Sequence, residues 1–161
     1  MGTILLGIGA IEASCQPSDT LLAMALGSCV AVVVHDPVSR VTGMAHVALP
    51  SCGGENSRDL WPGYYADTAI PRLVRELERV RGGRVGGRLS VKLVGGASIV
   101  GGLSGMNIGK RNVLGVRRAL KSAGLRAMVE EVGGSVSRTV RVRVLDAQTT
   151  VTTPEREERV L

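Results

Sequence analysis

The sequence predicts an α+β domain: a sandwich of mainly antiparallel β-sheets with helices on the outside. Three observations carry this. Short apolar, β-branched runs outnumber helical patterns. One run alternates cleanly, with Val140, Val142 and Val144 to one side and Arg141 and Arg143 to the other. Only two stretches place apolar residues at helical spacing, Ile70, Leu73, Val74, Leu77 and Val80, then Val113, Val116, Leu120 and Ala123. At 161 residues the chain is long enough for one domain with a real core. No internal repeat or second domain is evident. The expected division is a domain over residues 1–153 and a charged tail over 154–161.

Residues 3–8 read as a short buried strand. The Gly7-Ile8-Gly9 that follows resembles the start of a dinucleotide fingerprint, but Glu12 stands at the third glycine position and no helical pattern opens there. Residues 21–26 lead into a strand around Cys29 to Val34, closed by the turn signal Asp36-Pro37. A second strand spans 41–48, and a Gly-, Ser- and Pro-rich loop spans 50–63. A helix begins at Asp67, with Pro71 required in its first turn or at a kink and Gly82-Gly83 as its stop. Residues 89–94 form a strand. Residues 101–112 form a glycine-rich loop whose Gly109-Lys110 suggests a phosphate-binding loop, but Ser104 and Arg111 fail that pattern. The second helix ends at Gly124. Strands follow over 125–132, 139–144 and 149–153, and the charged end over 155–161 is expected to be solvated and frayed.

Composition excludes several function classes. No apolar run is long enough to span a bilayer, and Met1-Gly2-Thr3-Ile4 lacks the basic start of a signal peptide. No membrane insertion is expected, and the cytoplasm is the default compartment. Three cysteines with no paired spacing argue against a disulfide framework and against a metal site. The net charge of +6 fits attraction to an acidic protein surface. Nucleic acid is disfavoured, because Trp61, Tyr64 and Tyr65 are the only aromatic side chains on which bases could stack.

The chemistry-bearing pattern is Leu26-Gly27-Ser28-Cys29-Val30 followed by Gly43-Met44-Ala45-His46. If the chain folds back between Pro37 and Val38, Asp36 faces Ser39 and Cys29 faces His46. Facing residues of an antiparallel pair share a face, so thiol and imidazole would lie side by side, as a cysteine nucleophile and its base require. A bulge at Gly43 would turn His46 to the other face. A free cysteine packed into a core is the competing explanation. Ser28 lacks a nucleophile elbow and is read, with Gly27, as oxyanion support. His35 is six residues from Cys29, too far to serve it. Cys15 and Cys52 carry no partner signal, and Cys52 sits in a loop where it could be oxidised.

Taken in order, Gly7-Ile8-Gly9, the Cys29 and His46 segments, Asp36-Pro37, Leu49-Pro50, Tyr65-Ala66-Asp67 with Ala69-Ile70, Lys92-Leu93, Gly95-Gly96-Ala97, Ile108-Gly109, Arg111-Asn112, Val132-Gly133-Gly134 and Arg138 resemble the CheD family of chemoreceptor glutamine deamidases. The resemblance covers nearly the whole chain. It implies a fold shared with toxin deamidases, chemotaxis as the setting, and conversion of receptor glutamines to glutamate through a cysteine thioester with no cofactor. It maps the nucleophile onto Cys29 and the histidine onto His46. Chemoreceptor cytoplasmic helices are the implied substrate and a CheC-type phosphatase the implied partner. The family's third residue, a threonine, falls on Ala23, which cannot hydrogen-bond an imidazole. Thr20 points to the opposite face. An adaptor that binds receptors and phosphatase with weak or no catalysis is therefore the alternative. A reactive, low-pKa Cys29 would speak for the enzyme.

Overall fold

The computed structural model describes residues 2–53, 62–99, 107–155 and 157–161. In chain order the elements are β1 (Thr3–Leu5), β2 (Ile11–Ser14), β3 (Thr20–Leu26), β4 (Val30–Asp36), β5 (Val41–Val47), α1 (Ala66–Arg81), β6 (Ser90–Gly95), α2 (Ile108–Ser122), β7 (Val129–Val132), β8 (Arg138–Arg143), β9 (Thr149–Thr152) and β10 (Glu158–Val160). The strands form two five-stranded sheets, β1-β3-β8-β9-β10 and β2-β5-β4-β6-β7. Among the described residues all pairings are antiparallel except β1 with β3 and β6 with β7. The predicted α+β sandwich is the observed one, with both helices on the outer face of the second sheet.

The layers follow from strand periodicity. Every residue of β4, the central strand of its sheet, is buried. Val30, Val32 and Val34 pack with Ile70, Leu73 and Leu77 of α1 and with Val113, Val116 and Leu120 of α2. Ala31 and Val33 face the other way, into the inter-sheet core with Leu21, Ala23, Met44, Val140 and Val142. Two-sided burial explains why β4 reads as an unbroken apolar run, while Arg141 and Arg143 face solvent on one-sided β8.

Several boundaries differ from expectation. The strand at 3–8 shortens to β1 and is largely exposed, because an edge strand covers little. β2 carried no clear alternation and is held by pairing with β5. Pro71 is the sixth residue of α1, in its second turn, so its ring denies the Asp67 carbonyl its helical donor. The segment 108–112, expected in a loop, is the first turn of α2. Asn107 caps it, its side chain accepting from Lys110 N–H at 3.0 Å. Gly109 is required there because a Cβ would lie 2.4 Å from the carbonyl oxygens of Gly96 and Ala97. The tail is not frayed, since β10 pairs with β9 and Leu161 N–H reaches the Thr149 carbonyl at 2.8 Å.

The β4–β5 turn is the correction that matters for function. Asp36 pairs with Val41, so residues 37–40 form the turn. The Asp36 carboxylate accepts from Val38 N–H at 2.9 Å and from the Ser39 hydroxyl at 2.6 Å. Arg40 takes a left-handed φ of 55° that returns the chain. The centre of the hairpin thus moves to between Val38 and Ser39, and His46 falls opposite Ala31 rather than Cys29.

Burial pushes the Asp36 carboxyl up, but the Ser39 hydroxyl, the Val38 and Ser39 N–H groups and the Arg81 charge outweigh it, leaving it below the usual aspartate range. A carboxylate depressed in the folded state stabilises above its unfolded pKa, and that stability is lost as pH falls through the folded value. Asp36→Ala should cost about 1–3 kcal/mol at pH 7. Urea unfolding should show the difference from the natural sequence shrinking below about pH 4; a difference independent of pH would remove the carboxylate from this role.

Candidate functional site

Cys29 occupies the turn of residues 27–29, where β3 ends and β4 begins. All three carbonyls of this turn are tied inward. Gly27 O accepts from Ala97 N–H at 2.9 Å and Cys29 O from Gly96 N–H at 2.7 Å. Ser28 O accepts from the Asn112 side-chain amide at 2.8 Å. The N–H groups of Gly27, Ser28 and Cys29 donate to nothing among the described residues. The chain at 95–96 approaches so closely that a Cβ on Gly95 would lie 2.3 Å from Cys29 O, and Gly95 itself holds φ at 117°.

His46 lies on β5, buried, with its ring on the inter-sheet side that Met44 also faces. Ala31 and Cys29 lie on the same side of neighbouring β4, so the corrected register keeps thiol and imidazole on one face. It makes them diagonal neighbours, a relation that places Cα atoms about 7–8 Å apart. No hydrogen bond joins Cys29 to His46 among the described residues.

The residues 6–10 clamp His46 on two sides. Gly9 N–H donates to His46 O at 2.9 Å and His46 N–H to Ala10 O at 3.0 Å. The ring atom Nδ1 lies 3.2 Å from Leu6 O. A carbonyl only accepts, so Nδ1 carries the proton and Nε2 presents a lone pair. Leu6 is itself fixed, its N–H donating to Leu22 O at 2.8 Å.

Burial sets the resting protonation. It pushes the Cys29 thiol above its usual range. It pulls the His46 imidazole below its usual range, against the opposing effect of the Leu6 carbonyl. Both shifts favour neutral forms. Burial thus acts against the low-pKa thiol that would speak for the enzyme, and favours a neutral thiol near a neutral imidazole.

Other predicted residues are placed as follows. Ala23 is fully buried in the inter-sheet core beside Leu6 and Ala31. His35 is engaged elsewhere, its Nδ1 donating to the Thr42 hydroxyl at 2.9 Å, which donates in turn to Val144 O. Cys15 is exposed. Cys52 is buried rather than open to oxidation, with its N–H on the Asp67 carboxylate at 3.0 Å. Of the loop at 50–63 and the glycine-rich stretch before α2, residues 54–61 and 100–106 lie outside the described residues. A groove of about 700 Å³ is lined by Pro50, Ser51, Pro71, Arg111, Leu114 and Arg118 among others, and not by Cys29 or His46.

Two participants escaped sequence reasoning. A carbonyl such as Leu6 O has no side-chain signature. Asn112 did leave a signal, a polar residue in register with Val116 and Leu120 on the buried stripe of α2. Among the described residues no three His, Cys, Asp or Glu side chains gather to hold a metal ion, and no helix is long and apolar enough to cross a membrane.

The same segments recur in known proteins. A family model described as CheD chemotactic sensory transduction matches residues 48–153. A probable chemoreceptor glutamine deamidase CheD of Syntrophotalea carbinolica is 39% identical, with 97% of each chain covered. The chemoreceptor glutamine deamidase CheD of Thermotoga maritima is 43% identical over 87% of this chain and 85% of its own. A probable chemoreceptor glutamine deamidase CheD of Desulforamulus reducens is 37% identical over 93% of this chain and 90% of its own. A clamped histidine beside a cysteine turn, set in a two-sheet sandwich with full-length relatives of one kind, has one family explanation: the chain belongs to the CheD family.

Proposed function

We propose that the chain is a cytoplasmic protein-glutamine deamidase of chemotaxis, converting chosen glutamines on chemoreceptor helices to glutamate. The names of its relatives support the substrate class. The observation that carries the chemistry is a half-buried thiol on the same face as a histidine whose Nδ1 is anchored and whose Nε2 has no partner among the described residues. A CheC-type phosphatase as binding partner belongs to the same reading.

The reaction begins as Cys29 Sγ attacks the glutamine Cδ while His46 Nε2 takes the thiol proton. Proton transfer concerted with attack suits a pair that rests neutral, and catalytic contacts absent in a free enzyme form with substrate bound. The carbonyl oxygen becomes an oxyanion, for which the N–H groups at Ser28 and Cys29, unoccupied among the described residues, with Gly27 beside them, are the donors. The intermediate collapses, the C–N bond breaks, and His46 delivers its proton to the leaving nitrogen as ammonia. Water, deprotonated by His46, then attacks the thioester. Glutamate leaves and the thiol is restored.

Ala23 favours the second reading, an adaptor without turnover, because the family threonine is missing there. Against it stands the Leu6 carbonyl. It holds Nδ1–H at 3.2 Å, the contact an orienting group must supply.

Purified protein incubated with a receptor cytoplasmic fragment should gain about 1 Da at specific glutamines by mass spectrometry, and Cys29→Ala should abolish this with the fold retained. Conversion by Cys29→Ala would remove the thiol from the mechanism. Because His46 must be neutral to act and burial lowers its pKa, kcat/KM should hold down to mildly acidic pH and fall only below about 6.5. An acid limb above that value would contradict the neutral imidazole. Ala23→Thr inserts volume into a filled core and should cost about 1–3 kcal/mol by urea unfolding. It should raise kcat by no more than a few-fold, since Nδ1 is already held; activity that appears only in this variant would establish the adaptor.

A further inference from the structure

We propose that Asn112 is a positioning residue that aims the Cys29 N–H at the oxyanion. The inference rests on the Cys29–His46 reading above and extends it to a residue on α2.

The argument begins with the peptide plane. Ser28 C=O and Cys29 N–H belong to one trans peptide, so they point in opposite directions. Whatever fixes the carbonyl fixes the N–H. Ser28 O is held at 2.8 Å by Asn112 Nδ2, and this is the only contact to that carbonyl among the described residues. The Cys29 N–H is therefore turned away from α2 and has no acceptor among the described residues.

The same Nδ2 makes a second bond, to Ala48 O at 2.8 Å. Ala48 lies two residues beyond His46, just past the end of β5. One buried amide thus ties the turn of the nucleophile to the strand of the base. Both partners are carbonyls, which settles that the NH2 group faces them. The other half of the amide, Oδ1, is buried with no hydrogen-bond partner among the described residues. A side chain selected only for packing would not carry this orphan, since Val116 and Leu120 on the same stripe fill their places without one. Helix α2 is close enough to hold the contact because Gly109 lets it press against residues 96 and 97.

The test separates acyl chemistry from simple thiol reactivity. Alkylation of Cys29 by iodoacetamide at pH 9 builds no oxyanion, whereas deamidation does. In Asn112→Ala, deamidation of the receptor fragment should lose at least 10-fold in kcat with KM changed by less than about 3-fold. Alkylation of the Cys29 peptide, followed by mass spectrometry, should stay within about 2-fold. Leu120→Ala, which opens the same buried stripe two turns away, should lower Tm yet keep kcat. Should Asn112→Ala fail to fold, Asn112→Leu, which keeps the side chain's bulk but removes both donors, is read in the same way. A parallel loss of alkylation and kcat in the Asn112 variant, or a kcat equal to that of Leu120→Ala, would overturn the proposal. If the unaltered protein shows no Cys29-dependent deamidation, the underlying reading fails and this one falls with it.

Discussion

The structure turns on the end of one strand. β4 is buried on both faces, and a strand in that position must have its backbone groups paired along its whole length. Where its ladder begins, at Val30, the preceding turn has no strand partner, yet it is still half inside the protein. Its carbonyls must find donors one by one. They find them in Gly96, Ala97 and Asn112, from the loop after β6 and from α2. Because each carbonyl is drawn inward, the amide hydrogens of the same peptides are turned outward. The proposed site for a developing negative charge would thus be a consequence of satisfying a buried strand end, not an addition to it.

The histidine is positioned by the same logic from the other sheet neighbour. β5 pairs with β4 on one side and with β2 on the other. The chain between β1 and β2 crosses at the end of β5, and three of its backbone groups bond to His46, one of them to the ring. The ring is oriented by main chain, so its tautomer depends on the fold and not on one exchangeable side chain. On the proposed reading, this main-chain orientation is what would let Ala23, fully buried in the inter-sheet core, stand in place of a hydrogen-bonding residue.

Much of this was legible in the sequence. Alternation at Val140, Val142 and Val144 and the helical stripes of α1 and α2 were sufficient for the architecture, because each reports one-sided burial directly. That Cys29 and His46 share a face was legible too, since a shift of the hairpin centre by one full residue moves the facing position by two and preserves parity. The register itself was not. It depends on the Asp36 carboxylate holding Val38 and Ser39 and on Arg40 taking a left-handed φ, which non-glycine residues do too rarely to predict. The start of α2 was hidden because Gly109 is a poor helix former chosen for a close approach to residues 96 and 97, a tertiary requirement invisible from within the segment. The charged tail was misread for a related reason, as Glu158 to Val160 have no intrinsic reason to be a strand except that β9 offers an open edge.

The resting protonation gives the site a further property. A preformed thiolate–imidazolium pair would react with any passing electrophile. Here burial favours the neutral form of both groups, so on the proposed mechanism the nucleophile forms only when a base, an amide carbon and oxyanion donors come together. The geometry restrains Cys29 in the same sense, since no hydrogen bond to His46 is present before substrate arrives. Selectivity would then come from assembly: a glutamine presented at the right angle completes the constellation, and one presented otherwise leaves a thiol too weakly ionised to attack. On the proposed mechanism, the burial that pushes the Cys29 thiol up would help confine the reaction to a few side chains of a large protein substrate.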